Sequence, residues 1–325
     1  MSGRAVQVGH QAPSVPELVD RARDGDPRAV ARLISLVEDA SPALRDVMAA
    51  LAPYAGRAAV LGVTGSPGVG KSTTTSALVT AFRADGRRVG VLAVDPSSPF
   101  SGGALLGDRV RMQDHATDRG VYIRSMATRG HLGGLAWSTP QALRILDSAG
   151  CDVVVVETVG VGQSEVEVAA LADTTLVLLA PGMGDAIQAA KAGILEVGDV
   201  FVVNKADRDG ADQVVRDLRG AIRLAERSPG DWREPIVKTV ASRGEGVEEV
   251  VAAVDKHRAW MQRGGELDRR RRRRVRDEIE AIAVTALRGR FGDLHGDARL
   301  DTLAEKVLAG QIDPYAAADE ILAAL

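Results

Sequence analysis

Gly65-Ser66-Pro67-Gly68-Val69-Gly70-Lys71-Ser72, followed by Thr73, is a glycine-rich run closed by a lysine and a hydroxyl. Residues 60–64 before it are mostly apolar and read as a strand, and residues 72–83 after it read as a helix. Strand, glycine loop and helix in that order are the setting in which this pattern cradles phosphate. The glycines let the backbone fold so that successive N–H groups point into one concavity. The helix N-terminus adds positive potential where β- and γ-phosphates would lie. Lys71 supplies a mobile positive charge, and the Ser72 hydroxyl is a suitable Mg²⁺ ligand. The bland alternative is a plain strand-to-helix turn, and the complete spacing in this setting argues against it.

Working outward, short β-branched runs alternate with longer helical stretches. Strands are expected at 60–64, 89–95, 121–125, 152–158, 174–180, 199–204 and 235–240. Several are almost wholly apolar, as parallel strands covered on both faces must be. The alternation implies βαβ units. The expected fold class is therefore α/β: a P-loop NTPase with a mostly parallel sheet and helices on both faces. Residues 14–52 form a helical preface, with Asp26-Pro27 opening a helix as N-cap and first helical position. Arg263-Gly264-Gly265 reads as a hinge, and beyond it lie helical segments near 267–290, 297–310 and 313–324. The expected organisation is an N-terminal helical extension at 1–57, a nucleotide domain at 58–263 and a C-terminal helical arm at 264–325.

Asn204-Lys205-Ala206-Asp207 follows the apolar stretch 200–203. The Asp207 carboxylate can accept hydrogen bonds from the N1–H and exocyclic amine of guanine, whereas adenine would leave it underpaired. The Lys205 stem would lie along the base, and Asn204 would tie this loop to the phosphate loop. Val240-Ala241-Ser242, after the next strand, would form the second wall of the base pocket. Alone, four residues could be an ordinary strand-end turn. Downstream of a phosphate loop they point to GTP and GDP.

Three carboxylates are candidates for the metal and the chemistry. Glu157-Thr158-Val159-Gly160 ends a strand, so that the Gly160 N–H can approach the γ-phosphate. Glu157, long for this position, would hold Mg²⁺ through water or orient the attacking water. Asp95 closes the strand 89–95 in the crevice where parallel strands end. Asp108 ends a glycine-rich loop and would reach the metal when that loop closes, or cap a helix beginning near Arg109. Lys71, Asp95 and Glu157 are the expected catalytic set, and Ser72, Asp95, Asp108 and Glu157 the expected metal set.

Together the runs Gly65–Thr73, Val94-Asp95-Pro96-Ser97-Ser98 through Asp108-Arg109, Glu157 through Glu165, and Asn204–Asp207 resemble the MeaB/ArgK family of P-loop GTPases, relatives of the methylmalonic aciduria type A protein. The resemblance runs from about Val15 to the C-terminus. It implies a GTP-hydrolysing homodimer that is a chaperone for adenosylcobalamin-dependent methylmalonyl-CoA mutase, gating cofactor loading and protecting against inactivation. It also implies switch loops, here Gln163, Ser164 and Glu165 and the stretch carrying Gly184, Asp185 and Lys191. One departure is visible: Val240-Ala241-Ser242 stands where Ser-Ala-x is commoner.

Bulk properties narrow the field. With 325 residues, 26% charged residues and a net charge of −3, no global field favours nucleic acid. The single Cys151 excludes an internal disulfide framework. No apolar run is long enough for a membrane span and no export signal opens the chain, so a cytoplasmic setting is expected. The arginine run 269–274 reads as one end of a solvated helix, with pairing to acidic residues across an oligomer as an option. Five scattered histidines suggest no metal site, and Trp137, Trp232 and Trp260 look too separate to form a stacking platform. The alternative function is an ATP-using kinase linked to basic amino-acid transport. Asp207 argues against it, and no kinase catalytic-loop signature is present. A metallochaperone GTPase would need Cys- or His-rich stretches, and a signal-recognition GTPase a Met-rich domain. The sequence has neither.

Overall fold

The computed structural model describes residues 13–95, 113–115, 117–127, 138–158, 164–182, 195–223, 228, 230–291 and 298–323. Among the described residues there are seven strands, β1 Ala59–Gly65, β2 Val89–Asp95, β3 Val121–Ala127, β4 Val153–Thr158, β5 Thr174–Leu179, β6 Val200–Val203 and β7 Ile236–Lys238. They form one sheet in the order β3-β2-β4-β1-β5-β6-β7, and every pairing is parallel. The expected α/β architecture is observed.

Alternation along β4 shows how the sheet is covered. Val153 and Val155 join one core with α4 (Lys71–Ala84) and α8 (Val247–Gly264). Val154 and Val156 join the opposite core. That second face carries α5 (Thr139–Ser148), α6 (Ser164–Leu171) and three N-terminal helices, α1 (Val15–Arg23), α2 (Pro27–Glu38) and α3 (Leu44–Leu51). Helix α7 (Ala211–Arg223) extends the same face over β5 and β6, whose Val177, Leu179, Phe201 and Val203 it covers. All residues of β1, β4, β5 and β6 are buried, which is why near-continuous apolar runs mark them in the sequence.

Local chemistry fixes the entries to these elements. Asp26 caps α2, accepting from the N–H groups of Arg28 at 2.9 Å and Ala29 at 3.4 Å, with Pro27 in the first turn. Asp147, buried on α5, accepts from the N–H groups of Gly56, Arg57 and Ala58, so the chain reaches β1 at one angle only. Strand β7 is shorter than the expected 235–240. Thr239 still donates its N–H to the Val203 carbonyl of β6 at 2.9 Å, and from Val240 the chain bridges to Glu245 instead. Cys151 is buried, and desolvation pushes its thiol up to about 12.

The chain divides into two compact units, Met1–Arg270 and Arg271–Leu325, and the division falls inside α9 (Glu266–Phe291). Helix α9 follows α8 after Gly265, whose φ of 68° turns the chain. In the first unit Arg270 corrects the reading of the arginine run as wholly solvated. Its guanidinium makes two 2.9 Å hydrogen bonds to Asp199 and one of 3.0 Å to the Asp173 carbonyl. Asp199 lies 3.4 Å from Nε2 of His257, which is fully buried and shares a 2.9 Å hydrogen bond with Thr174. Trp232 and Trp260, distant in sequence, flank that imidazole with ring centroids 4.7 and 5.7 Å away. They are 5.8 Å from each other, which corrects the expectation that they stay apart. In the second unit α10 (Ala298–Leu308) packs on α11 (Pro314–Ala323), while Val275, Ile279, Ile282 and Leu287 of α9 are exposed. No described helix is long and apolar enough to cross a membrane.

Candidate nucleotide site

The phosphate loop leaves the C-terminal end of the central strand β1 and enters α4. Gly65, Gly68 and Gly70 have φ values of 139°, 80° and 99°, in the region that side chains disfavour. Two of these glycines are also fixed by crowding. A Cβ on Gly65 would strike the Leu178 carbonyl of β5, and one on Gly70 would strike the Asn204 amide. Between them Ser66 is half-buried, Pro67 is exposed and Val69 is fully buried, anchoring the turn in the core under α4. Thr73 is exposed on α4.

Lys71 is only 8% exposed, and its ammonium donates to the Gly65 carbonyl at 2.7 Å and the Ser66 carbonyl at 3.4 Å. The charge is thus held over the loop by the loop's own backbone. Ser72 follows, buried, and its Oγ donates to Glu157 Oε1 at 2.7 Å. Register explains this meeting: Glu157 pairs with Val63 of β1 on the α4 side of the sheet, so its carboxylate points at the first turn of α4. Both side chains present oxygen, the ligand atom a hard divalent cation takes, in the first turn of α4 and at the strand end beside it. That donor set fits Mg²⁺. Among the described residues no group of three or more His, Cys, Asp or Glu side chains is arranged to hold a metal.

The second half of the site is bound to the first through one amide. Asn204, 3% exposed at the end of β6, donates from Nδ2 to the Val69 carbonyl at 2.9 Å. Its Oδ1 accepts from Thr239 Oγ1 at 3.2 Å and from the Ala241 N–H at 3.1 Å. The phosphate loop, the Asn204–Asp207 loop and the turn Val240-Ala241-Ser242 therefore meet on a single side chain. Lys205, at φ 56°, sends its ammonium to the Gly68 carbonyl at 2.6 Å. Asp207 is exposed at 39%, with its carboxylate 3.6 Å from the guanidinium of Arg243. Val240 and Ala241 are buried and Ser242 is exposed. Thr239 and Arg243 escaped the sequence reading. Thr239 sits at a strand end with no motif of its own, and Arg243 closes the 3-10 turn Ala241–Arg243.

Several expected positions cannot be placed against this geometry. Gly160, Gln163, Gly184, Asp185, Lys191 and Asp108 lie outside the described residues. Asp95 ends β2 next to β4, and Ser164 and Glu165 begin α6, but their side chains fall outside the description.

A parallel sheet whose central strand ends in this loop, with an Asn-Lys-Ala-Asp loop tied to it, defines the phosphate-loop NTPase class. The chain belongs to the family described as Methylmalonyl Co-A mutase-associated GTPase MeaB, which it matches over residues 30–293. It is accordingly a GTPase and binds guanine nucleotide. A Pyrococcus abyssi relative bearing a GTPase name is 46% identical over 311 residues, spanning 95% of this chain and 96% of that one. The mitochondrial methylmalonic aciduria type A homolog of Mus musculus is 36% identical over 269 residues, spanning 81% of this chain and 65% of that one. The crystal structure of a protein named LAO/AO transport system kinase is similar with a TM-score of 0.73 at 27% identity, covering 96% of this chain and 98% of that one.

Proposed function

We propose that this GTPase is a Mg²⁺-dependent chaperone for an adenosylcobalamin-dependent mutase of the methylmalonyl-CoA mutase type, gating cofactor loading and protecting the mutase from inactivation. The observation that carries the proposal is membership of a family named for its association with that mutase, spanning most of the chain. The name of the mouse relative points the same way. The transport-kinase name of the structural relative belongs to that protein, and the Asn204–Asp207 loop beside the phosphate loop favours guanosine chemistry here.

In this reading the N–H groups of Gly68, Val69, Gly70, Lys71, Ser72 and Thr73 bind the phosphates, with Gly65, Ser66 and Pro67 shaping the turn. Lys71 exchanges the Gly65 carbonyl for β- and γ-phosphate oxygens. Ser72 and Glu157 would hold Mg²⁺, with Asp95 at the end of β2 and Asp108 from the loop after it. When bound, Mg²⁺ neutralises charge on the phosphates. Glu157 orients water for in-line attack on the γ-phosphorus; as the new P–O bond forms the bond to the β–γ bridging oxygen breaks, GDP leaves, the water's second proton passes to the released phosphate, and Gly160 registers the loss. Asp207 and Lys205 read the base against Val240, Ala241 and Ser242. Gln163, Ser164, Glu165, Gly184, Asp185 and Lys191 carry the nucleotide state to the mutase. The exposed apolar side chains of α9 support a homodimer, and the setting is cytoplasmic.

The test is GTP turnover with and without a purified cobalamin-dependent mutase from the same source. A stimulation above tenfold is expected, which is a barrier lowered by more than about 1.4 kcal/mol. Unchanged turnover at saturating mutase removes the chaperone reading.

A further inference from the structure

The Asp207 carboxylate has a partner within the chain, and that partner has the chemistry of the base itself. Guanine offers Asp207 an N1–H and an exocyclic amine on one carbon, which is a guanidine unit with two parallel donors. Arg243 offers the same unit on a side chain, with Nη2 3.6 Å from Asp207 Oδ2. Its root is not free to wander. Arg243 ends the turn that begins at Ala241, and the Ala241 N–H is bonded to Asn204 at 3.1 Å. The side chain beyond that root is 61% exposed and can swing. Glu245, 3.8 Å from Nη1, stands ready to hold the guanidinium away from Asp207.

We propose that Arg243 is an affinity-setting residue of the nucleotide site, an internal mimic of the guanine edge that competes with the base for Asp207. This rests on the reading of Asp207 as the base acceptor. Guanine entry takes the Asp207 carboxylate from arginine to base, and Arg243 keeps Glu245 as its partner. On release the guanidinium takes the carboxylate back, which stabilises the nucleotide-free protein and weakens GDP and GTP to the same degree. An exposed ion pair of this length is worth a few tenths to about 1 kcal/mol, which is about a two- to fivefold effect on Kd.

The experiment is a set of nucleotide titrations on the full chain in low and high salt. The proteins are wild type, Arg243→Gln, Asp207→Asn and the double variant. GDP is the probe for the two proteins that keep Asp207. Xanthosine diphosphate is the probe for the two that carry Asp207→Asn, because an amide donates where xanthine accepts. Arg243→Gln is expected to tighten GDP about two- to fivefold in low salt. The gain should shrink in high salt, because the pair it removes is exposed and screened. In the Asp207→Asn background the same change should leave xanthosine diphosphate affinity unaltered, since no carboxylate remains to compete for. Unchanged or weaker GDP binding in Arg243→Gln, or an equal gain in both backgrounds, overturns the competition while leaving the base reading intact. An Asp207→Asn protein that keeps its full preference for GDP overturns the base reading and this inference with it.

Discussion

Replacing Asn204 by alanine tests the junction of the nucleotide site. The side chain is buried and makes three hydrogen bonds, to the Val69 carbonyl at 2.9 Å, Thr239 Oγ1 at 3.2 Å and the Ala241 N–H at 3.1 Å. Their loss is unequal. The Thr239 hydroxyl can rotate toward another acceptor, and an under-satisfied carbonyl is tolerated better than an orphaned N–H. The Ala241 N–H has no such freedom, because the 3-10 turn fixes it. A buried donor left unpaired costs about 1–3 kcal/mol, and each neutral bond lost about 1 kcal/mol more. The expected destabilisation is therefore about 3–5 kcal/mol, read as a shift in the urea midpoint without a change in slope. The same variant uncouples three segments of the site, so GDP and GTP affinity should fall at least about tenfold, or 1.4 kcal/mol. Asn204→Asp separates the two halves of this reasoning. It keeps an acceptor for Ala241 and Thr239 but turns a carboxylate oxygen toward the Val69 carbonyl, and it should be at least as damaging. A loss below about 1 kcal/mol for the alanine variant, with unchanged GDP affinity, would refute the view that this amide organises the site.

Two further outcomes concern the distal side of the sheet and the arm. Desolvation, aided by Arg270, lowers the His257 pKa to about 4, so the native state holds the ring neutral where the unfolded chain, near the usual 6.5, takes up a proton. Stability is full above about pH 6.5 and is lost as pH falls toward 4, with about 2 kcal/mol gone between pH 7 and pH 5. Urea midpoints at the two pH values should show this in the wild type and much less of it in His257→Phe, and equal slopes in both would remove His257 as the source. For the arm, the wild type should sediment as a dimer at micromolar concentration and Ile279→Asp with Ile282→Asp as a folded monomer. A pair of aspartates that leaves the dimer intact places the interface elsewhere.

The strands were legible because burial on both faces leaves little choice of residue: Val153–Val156 can be nothing but apolar between two cores. The phosphate loop was legible because its glycines, lysine and serine are contiguous, and the Asn204 tie because it belongs to a short motif. What sequence could not show depends on pairs remote in the chain. Arg270 looks like one arginine among six until Asp199 is placed beneath it. Trp232, His257 and Trp260 form a cluster only because α8 lies along β5 and β6. Arg243 has no spacing relation to Asp207 that a pattern would detect. Within the helical preface 14–52 nothing announces α3, which starts at Leu44 without a side-chain cap.

Strand β6 is four residues long and wholly buried. At its foot Asp199 is gripped by Arg270, in the first turns of α9, and at its head Asn204 binds the phosphate loop. At about 3.3 Å per residue these two flanking residues lie about 16 Å apart, and an extended strand locked in a sheet can neither stretch nor coil. It therefore behaves as a stiff strut, with the root of a helix seated at one end and the tie to the phosphate loop at the other. Displacing Asp199 along the strand axis must either break the ladder with β5 and β7 or shift Asn204 by the same distance.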